Sequence, residues 1–355
     1  MGNHGMKWFY FIVIILSVWC SSGSSQEFVG PRGFLTLEAE ISNRDSVARR
    51  GTFDLHHFNL FGNYLLTPRA RVFGEIEWEH GTDTERNEPG GEEKGIVRIE
   101  RAWFEYRFSH LAILRLGKFL TPYGIYNEIH DAAPAYDSSI LPVSVYGLHL
   151  NPFGSQQRLY PKFSLGLLFS GNVESGNYQL LYKFFLSNGR GKNPYEQDDN
   201  KNKGVGLRVQ LVLPWPDLKL GYSFTTDKNG LVFNTRQTSH LWDIQYEYKN
   251  WRLRGEIASS HLEGIGSAIP EFTPLGIWGE IAFLLFGRQT ILCRYDYFDA
   301  TRTASNDLER DIMIGTSIQL IKQLVVWKGE IHYWTVDQGP RRNYVLAISS
   351  LAVTF

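Results

Sequence analysis

Tyr344-Val-Leu-Ala-Ile-Ser-Ser-Leu-Ala-Val-Thr-Phe355 is the stretch whose reading decides the fold. Successive side chains of a strand alternate between its two faces. Drawn extended, the stretch puts Val345, Ala347, Leu351, Val353 and Phe355 on one face, and Ser349 interrupts that face with a small polar residue. A soluble domain rarely presents so apolar a strand finishing on an unshielded aromatic. A strand closing a barrel in a bilayer does, because its outer face meets hydrocarbon and both its edges are paired.

The same period of two recurs along the chain. Leu35, Leu37, Ala39 and Ile41 alternate with Thr36, Glu38 and Glu40, and Ala70, Val72, Gly74, Ile76 and Trp78 alternate with Arg71, Glu75, Glu77 and Glu79. Val205–Leu213, His240–Tyr248 and Trp251–Ile257 repeat the pattern. A soluble sandwich alternates too, so the connections decide. Tight ones, such as Lys249-Asn250, Pro214–Asp217 and Ile321–Gln323, alternate with long polar ones, such as Gly81–Gly95, Ser187–Lys203 and His261–Gly276. Short turns at one end and long loops at the other are the transmembrane-barrel layout. About 16 antiparallel strands are predicted, starting near Phe34, Asp54, Ala70, Ile96, Ala112, Lys162, Asn177, Gly204, Leu218, Ser239, Trp251, Ile277, Thr290, Asp311, Leu324 and Tyr344. Phe53–Leu66 is ambiguous in phase. The closing phenylalanine resembles the recognition signal of bacterial outer-membrane proteins.

Composition agrees with an all-β membrane protein. Mean hydropathy is −0.25 and no segment after the leader reaches 18 apolar residues, which excludes a helical membrane protein. Aromatics make up 14% of residues, with 10 Trp and 18 Tyr, as interfacial girdles require. A net charge of −1 gives no bulk attraction to nucleic acid. Residues 1–25 read as a signal peptide, with Lys7, the apolar run Trp8–Leu16 and the small residues Gly23, Ser24 and Ser25. The remainder, 26–355, is predicted as the barrel. Loss of Cys20 with the leader leaves Cys293 alone, so the fold must hold without an intrachain disulfide.

One connection departs from the pattern. Leu120–Pro161 carries five prolines together with Ile125, Ile129, Ile140, Leu141, Val143 and Val145. It is too long and too apolar for a solvated loop, and is predicted to fold into the lumen as a constriction loop. Just before it, Gly117-Lys-Phe-Leu-Thr-Pro-Tyr-Gly124 resembles the Gly-x-Phe-x-x-Pro-Phe-Gly segment of the phosphate-selective porin O and P family. That resemblance implies a 16-stranded outer-membrane channel, usually a homotrimer, with an inward-folded third outer loop.

The charges do not carry the phosphate specificity over. Predicted pore-lining positions mix Arg71, Arg101, Arg107, Arg115, Lys118, Arg208, Arg252 and Arg254 with Glu75, Glu77 and Glu105. The loop adds Glu128, His130, Asp131 and Asp137, and has no Lys or Arg between Tyr123 and Gln157. Selectivity follows the charges of the narrowest ring, and carboxylates disfavour phosphate there. Glu128, His130 and Asp131 could also bind a divalent metal, with pore lining the favoured reading. His56-His57 lies in a strand where one imidazole should face each way, which excludes joint chelation. No catalytic constellation stands out and no cofactor is implied. The expectation is a non-enzymatic porin passing small hydrophilic or ionic solutes, embedded among outer-membrane lipid and lipopolysaccharide. A plugged barrel serving as a surface structural or adhesion protein is the alternative.

Overall fold

The computed structural model describes residues 28–44, 51–79, 96–129, 133–150, 156–190, 201–215, 217–230, 234–264, 271–302, 307–337 and 342–355. The proposed leader therefore lies outside the described residues, as do His130 and Asp131.

Sixteen antiparallel strands close into one barrel. In chain order they begin with β1 (Phe28–Ser42), β2 (Thr52–Thr67), β3 (Ala70–Glu79), β4 (Ile96–Arg107) and β5 (Ile113–Leu120). After the interior segment come β8 (Phe163–Ser175), β9 (Tyr178–Ser187), β10 (Gly204–Leu213), β11 (Leu218–Asn229), β12 (Thr235–Tyr248) and β13 (Trp251–Leu262). The last are β14 (Leu275–Leu285), β15 (Gln289–Asp299), β16 (Leu308–Ile321), β17 (Val325–Val336) and β18 (Arg342–Thr354). Two short strands, β6 (His149–Leu150) and β7 (Gln156–Gln157), form a separate hairpin within the segment between β5 and β8.

Successive barrel strands pair in chain order, β5 pairing with β8 across the interior segment, and β1 pairs with β18 to close the ring. At the seam Gly33 and Phe355 exchange backbone hydrogen bonds of 2.8 and 2.9 Å. The Phe355 ring stacks on Phe58, with centroids 5.9 Å apart. Closure leaves no unpaired edge, which a bilayer would not tolerate.

The expected outward faces are the exposed ones. Leu37, Ile76, Ile99, Leu167, Ile244, Ile257, Ile281, Ile314 and Ile331 are exposed large apolar side chains, one or more on each strand named. Toward the short-turn end, Tyr178, Trp215, Tyr248, Trp251 and Phe286 form an exposed aromatic belt, and Phe53, Trp78 and Tyr333 lie toward the long-loop end. An apolar band between two aromatic girdles is the surface a bilayer covers. Tight turns are made with left-handed residues, including Asp217, Lys249, Phe286 and Gln323, at the ends of β10, β12, β14 and β16. β1 and β12 start six and four residues earlier than the alternation indicates, at Phe28 and Thr235.

Two phase slips correct the sequence reading. In β2, His57 pairs with Thr36 while Leu55 pairs with Leu37, so His56 is an extra residue. In β4, Arg101 pairs with Glu75 while Ile99 pairs with Ile76, so Glu100 is extra. Each is a β-bulge, which turns two successive side chains toward one face. His56 and His57 consequently both point inward, with ring centroids 4.2 Å apart, and the expectation of opposite faces fails. The same slip makes Arg98 and Glu100 interior residues, although strict alternation would not choose both them and Arg101.

The described residues of 121–162 pass through the barrel interior. They bond to inward-facing residues of β11, β13, β15, β17 and β18, through Ser223, Glu256, Asp296, Lys328 and Ser350. A segment touching so wide an arc of a closed ring lies within it. Its only α-helical turn among the described residues is α1 (Val143–Tyr146), which packs against β13, β14 and β15.

Candidate functional site

The Gly117–Gly124 stretch is where the chain leaves the wall. Gly117 has φ +130°, and a Cβ there would sit 2.3 Å from the Ala102 carbonyl oxygen and 2.8 Å from Trp103 Cα. Gly124 has φ +64°, and a Cβ would meet Tyr146 Oη at 2.3 Å and Glu256 Oε1 at 2.7 Å. Both positions therefore demand glycine, for backbone conformation and for space. Between them Phe119 and Tyr123 are fully buried.

Beyond Gly124 the segment builds an aromatic core against one side of the barrel. Tyr123 stacks on Tyr160 at 4.2 Å and Tyr126 on Trp278 at 5.6 Å, while Tyr136, Tyr146, Phe272 and Phe298 complete the cluster. Carboxylates on alternate strands receive its backbone amides. Glu256 on β13 accepts from Ile125 N at 2.5 Å, and also from Tyr146 Oη and Trp278 Nε1. Asp296 on β15 accepts from Ser144 N at 3.2 Å, and Glu330 on β17 accepts from Ser139 N. Cations take the carbonyls: Lys328 Nζ donates to Ala133 O and Ser138 O at 2.6 and 2.8 Å, and Arg294 Nη1 to Ile140 O at 2.9 Å. Lys328 and Arg294 are almost wholly buried. Buried charges need such partners, because desolvation otherwise outweighs their attraction. His149 stacks face to face on Phe298, and burial pushes its imidazole down to about 3, so it is neutral.

The opposite wall, β2–β5, is wetter. Arg71 and Arg115 both hold Glu105, at 2.6 and 2.8 Å, Arg101 holds Glu75, and Arg98 holds Glu79 at 2.5 Å. Arg71 and Arg115 lie over the Trp103 ring and Arg101 over Phe73. These arginine side chains keep 23% to 38% of their surface exposed, against 1% for Arg294. They form a column along the wall in which four guanidiniums meet three carboxylates, Arg71 and Arg115 sharing Glu105.

Glu128 lies between these regions. Lys183 of β9 reaches both of its oxygens at 2.6 Å. Burial alone would raise the Glu128 carboxyl, but Lys183, backed by Arg208 and Arg115, holds it below the usual carboxylate range. Glu128, Lys183, Arg208 and Lys219 line a polar cavity of about 190 Å³.

The remaining predicted residues divide. Glu77 contacts His57 Nδ1 at 3.2 Å. Lys118 is buried, donates to Ile99 O and lies over the Phe163 ring. Arg107 is exposed at the short-turn end of β4. Arg208 is buried against Asp243 and Ser223, both at 2.8 Å. Asp137 is clamped by Arg252 and by Ser317 Oγ at 3.0 Å, and Arg254 contacts Tyr126 Oη and Glu247. Glu128 and Asp137 lack basic neighbours in their own loop, but the wall supplies them in Lys183 and Arg252. Sequence reasoning missed Arg98, Glu100 and Lys183. The adjacent charges Glu100-Arg101 were the signal for the first two, since neighbouring charges on a lipid-flanked strand imply a slip.

The fold and interior define a multi-pass transmembrane β-barrel of the outer-membrane type, with a segment folded inside. No protein-family model matches the chain. A curated relative, an uncharacterized protein of Aquifex aeolicus, is 38% identical over 78 residues. That match takes in 22% of this chain and 17% of the Aquifex protein's own length. Solved structures share the fold across almost the whole chain. The anion-selective porin from Comamonas acidovorans aligns with TM-score 0.64 and 11% identity, over 93% of this chain and all of that one. OmpT of Vibrio cholerae in a trimer form aligns at 0.60 and 10%, over 94% and 100%. The outer membrane channel DcaP of Acinetobacter baumannii aligns at 0.61 and 9%, over 94% and 99%.

Proposed function

We propose that the chain is a porin of the bacterial outer membrane, a passive, non-enzymatic channel for small hydrophilic or ionic solutes. One observation carries this reading. The interior segment packs tightly against the β11–β18 side, whereas the arginines of β2–β5 and the Glu128–Lys183 pair keep water-accessible surface. Solvated charges inside a lipid-facing barrel belong beside an aqueous path. In this reading residues 120–161 form the constriction, with Glu128 and Lys183 on its rim and Arg71, Arg98, Arg101 and Arg115 on the facing wall.

Because carboxylates interleave with the wall arginines and nearly balance them, the channel discriminates modestly among small ions and has no phosphate preference. The likeness to the phosphate-selective porin O and P family thus extends to layout and not to solute. A homotrimer in lipid and lipopolysaccharide, exported by way of residues 1–25, completes the proposal; the trimer form of Vibrio OmpT supports it. Planar-bilayer recording tests the core claim. Stable single-channel steps at high salt are expected, while a folded barrel that inserts without conducting would establish the plugged, structural alternative.

A further inference from the structure

The β2 bulge places two imidazoles and a carboxylate together on the inner wall, and we propose that His56, His57 and Glu79 bind a divalent transition metal. In a regular strand adjacent histidines diverge, but the extra residue at His56 turns both rings inward. Glu79, the last residue of β3, completes the group, and one ligand atom from each of the three lies within 4.8 Å of the others.

The surrounding carboxylates make this a built arrangement. His56 Nδ1 lies 3.0 Å from Glu38 Oε2 and 3.7 Å from Asp54 Oδ2, while His57 Nδ1 lies 3.2 Å from Glu77 Oε1. Metal-binding histidines commonly give one ring N–H to a carboxylate, which fixes the tautomer and leaves the lone pair on the other nitrogen. The His56 ring is held in this way by Glu38, and Glu77 lies within ion-pair distance of His57 Nδ1; in the proposed site Nε2 of each ring is the ligand atom. Glu38, Asp54, Glu77 and Glu79 bring four carboxylates to the two rings; among the described residues Arg98 pairs with Glu79, and Lys118 and Lys328 act on Glu77 and Glu38. The excess of negative charge favours a dication.

Metal–ligand bonds of 2.0–2.2 Å place tetrahedral ligand atoms about 3.3 Å apart. The group must contract slightly, and Glu79, at a strand end, can supply the movement while its second oxygen keeps Arg98. Two imidazoles and one carboxylate select zinc, copper or nickel over calcium or magnesium, and three protein ligands leave a fourth position open to the interior. The site sits on the wall near the long-loop end of the barrel, and its binding of metal does not depend on the channel reading.

The untagged full chain, folded in detergent and stripped with EDTA, tests the proposal. Titration with Zn²⁺ should give one equivalent, and Co²⁺ should give the intense visible absorption of a tetrahedral site. His56→Gln and His57→Gln should each weaken binding at least about tenfold and abolish the cobalt band. Glu79→Gln, a strand-end change, should weaken it comparably, and Glu38→Gln by roughly tenfold through the tautomer. His240→Gln, on the lipid face, should leave one equivalent bound. Heat-modifiable gel mobility verifies folding of every variant. One equivalent retained in the folded His56→Gln/His57→Gln double variant, or no saturable zinc binding by the parent chain, overturns the assignment and leaves only imidazolium ion pairs.

Discussion

The two sides of this barrel use the same residue types for different ends. On β13–β17, Glu256, Arg294, Asp296, Lys328 and Glu330 are nearly fully buried and are spent on the backbone of the interior segment. On β2–β5, arginines pair with glutamates and remain partly solvated, while Glu75 and Glu105 beneath them are buried. The difference shows that an inward charge in such a barrel cannot be assigned to solute passage by its position in the alternation. What it bonds to decides.

Replacing residues 131–145 with a short Gly-Ser linker should have the largest effect. The interior loses its packed side, and single-channel conductance should rise roughly twofold or more, since flow follows the open cross-section. Unchanged conductance would place the limiting barrier elsewhere. Lys328→Met should be the next most severe. Losing a buried cation that serves two carbonyls beside Glu330 is expected to cost on the order of 3 kcal/mol, read as an earlier denaturant midpoint of the gel-mobility shift.

Glu128→Gln tests the boundary between the two sides. Lys183 then lacks its partner, and the reversal potential in a salt gradient should move toward anions by a permeability ratio on the order of twofold. The shift should fade at 1 M salt, where screening acts within about 3 Å. Asp137→Asn should move it less, because Ser317 and Arg252 hold that carboxylate. Acid should mimic Glu128→Gln. The Glu128 carboxyl is depressed in the folded state, so its pairing persists above its ordinary titration range and is lost only as pH falls through the lowered value. Selectivity should therefore stay flat from about pH 8 to pH 5 and turn toward anions only below that. A drift already complete at pH 5 would deny the Lys183 pairing. The smallest effect belongs to Arg98→Gln, whose pair with Glu79 is partly exposed on both sides and whose removal should change stability by less than about 1 kcal/mol. A loss matching that of Lys328→Met would erase the contrast between the walls.

Most of the fold was legible because one rule applies on every strand: the outer face meets hydrocarbon, so the period of two survives around the whole ring. The prolines and apolar residues of 121–161 likewise betrayed a segment shielded from bulk solvent. The bulges were not legible in detail. Phe53–Leu66 showed its ambiguity of phase, but only the pairing of Thr36 with His57 and Leu37 with Leu55 shows where the slip lies. The partners of Glu128 and Asp137 were equally hidden. Lys183 and Arg252 stand 55 and 115 residues away in sequence, and only closure of the ring brings them together.

The anchoring of the interior segment has one more consequence. Glu256, Asp296 and Glu330 grip amide hydrogens, and Lys328 grips carbonyl oxygens, so the wall recognises groups that almost every amino acid carries. Side chains such as Glu128 and Ile129 can be exchanged without disturbing those grips. The barrel thus works as a socket for a replaceable insert, and under the porin proposal new permeation properties would be written by altering a few loop residues while the membrane-spanning frame stays fixed.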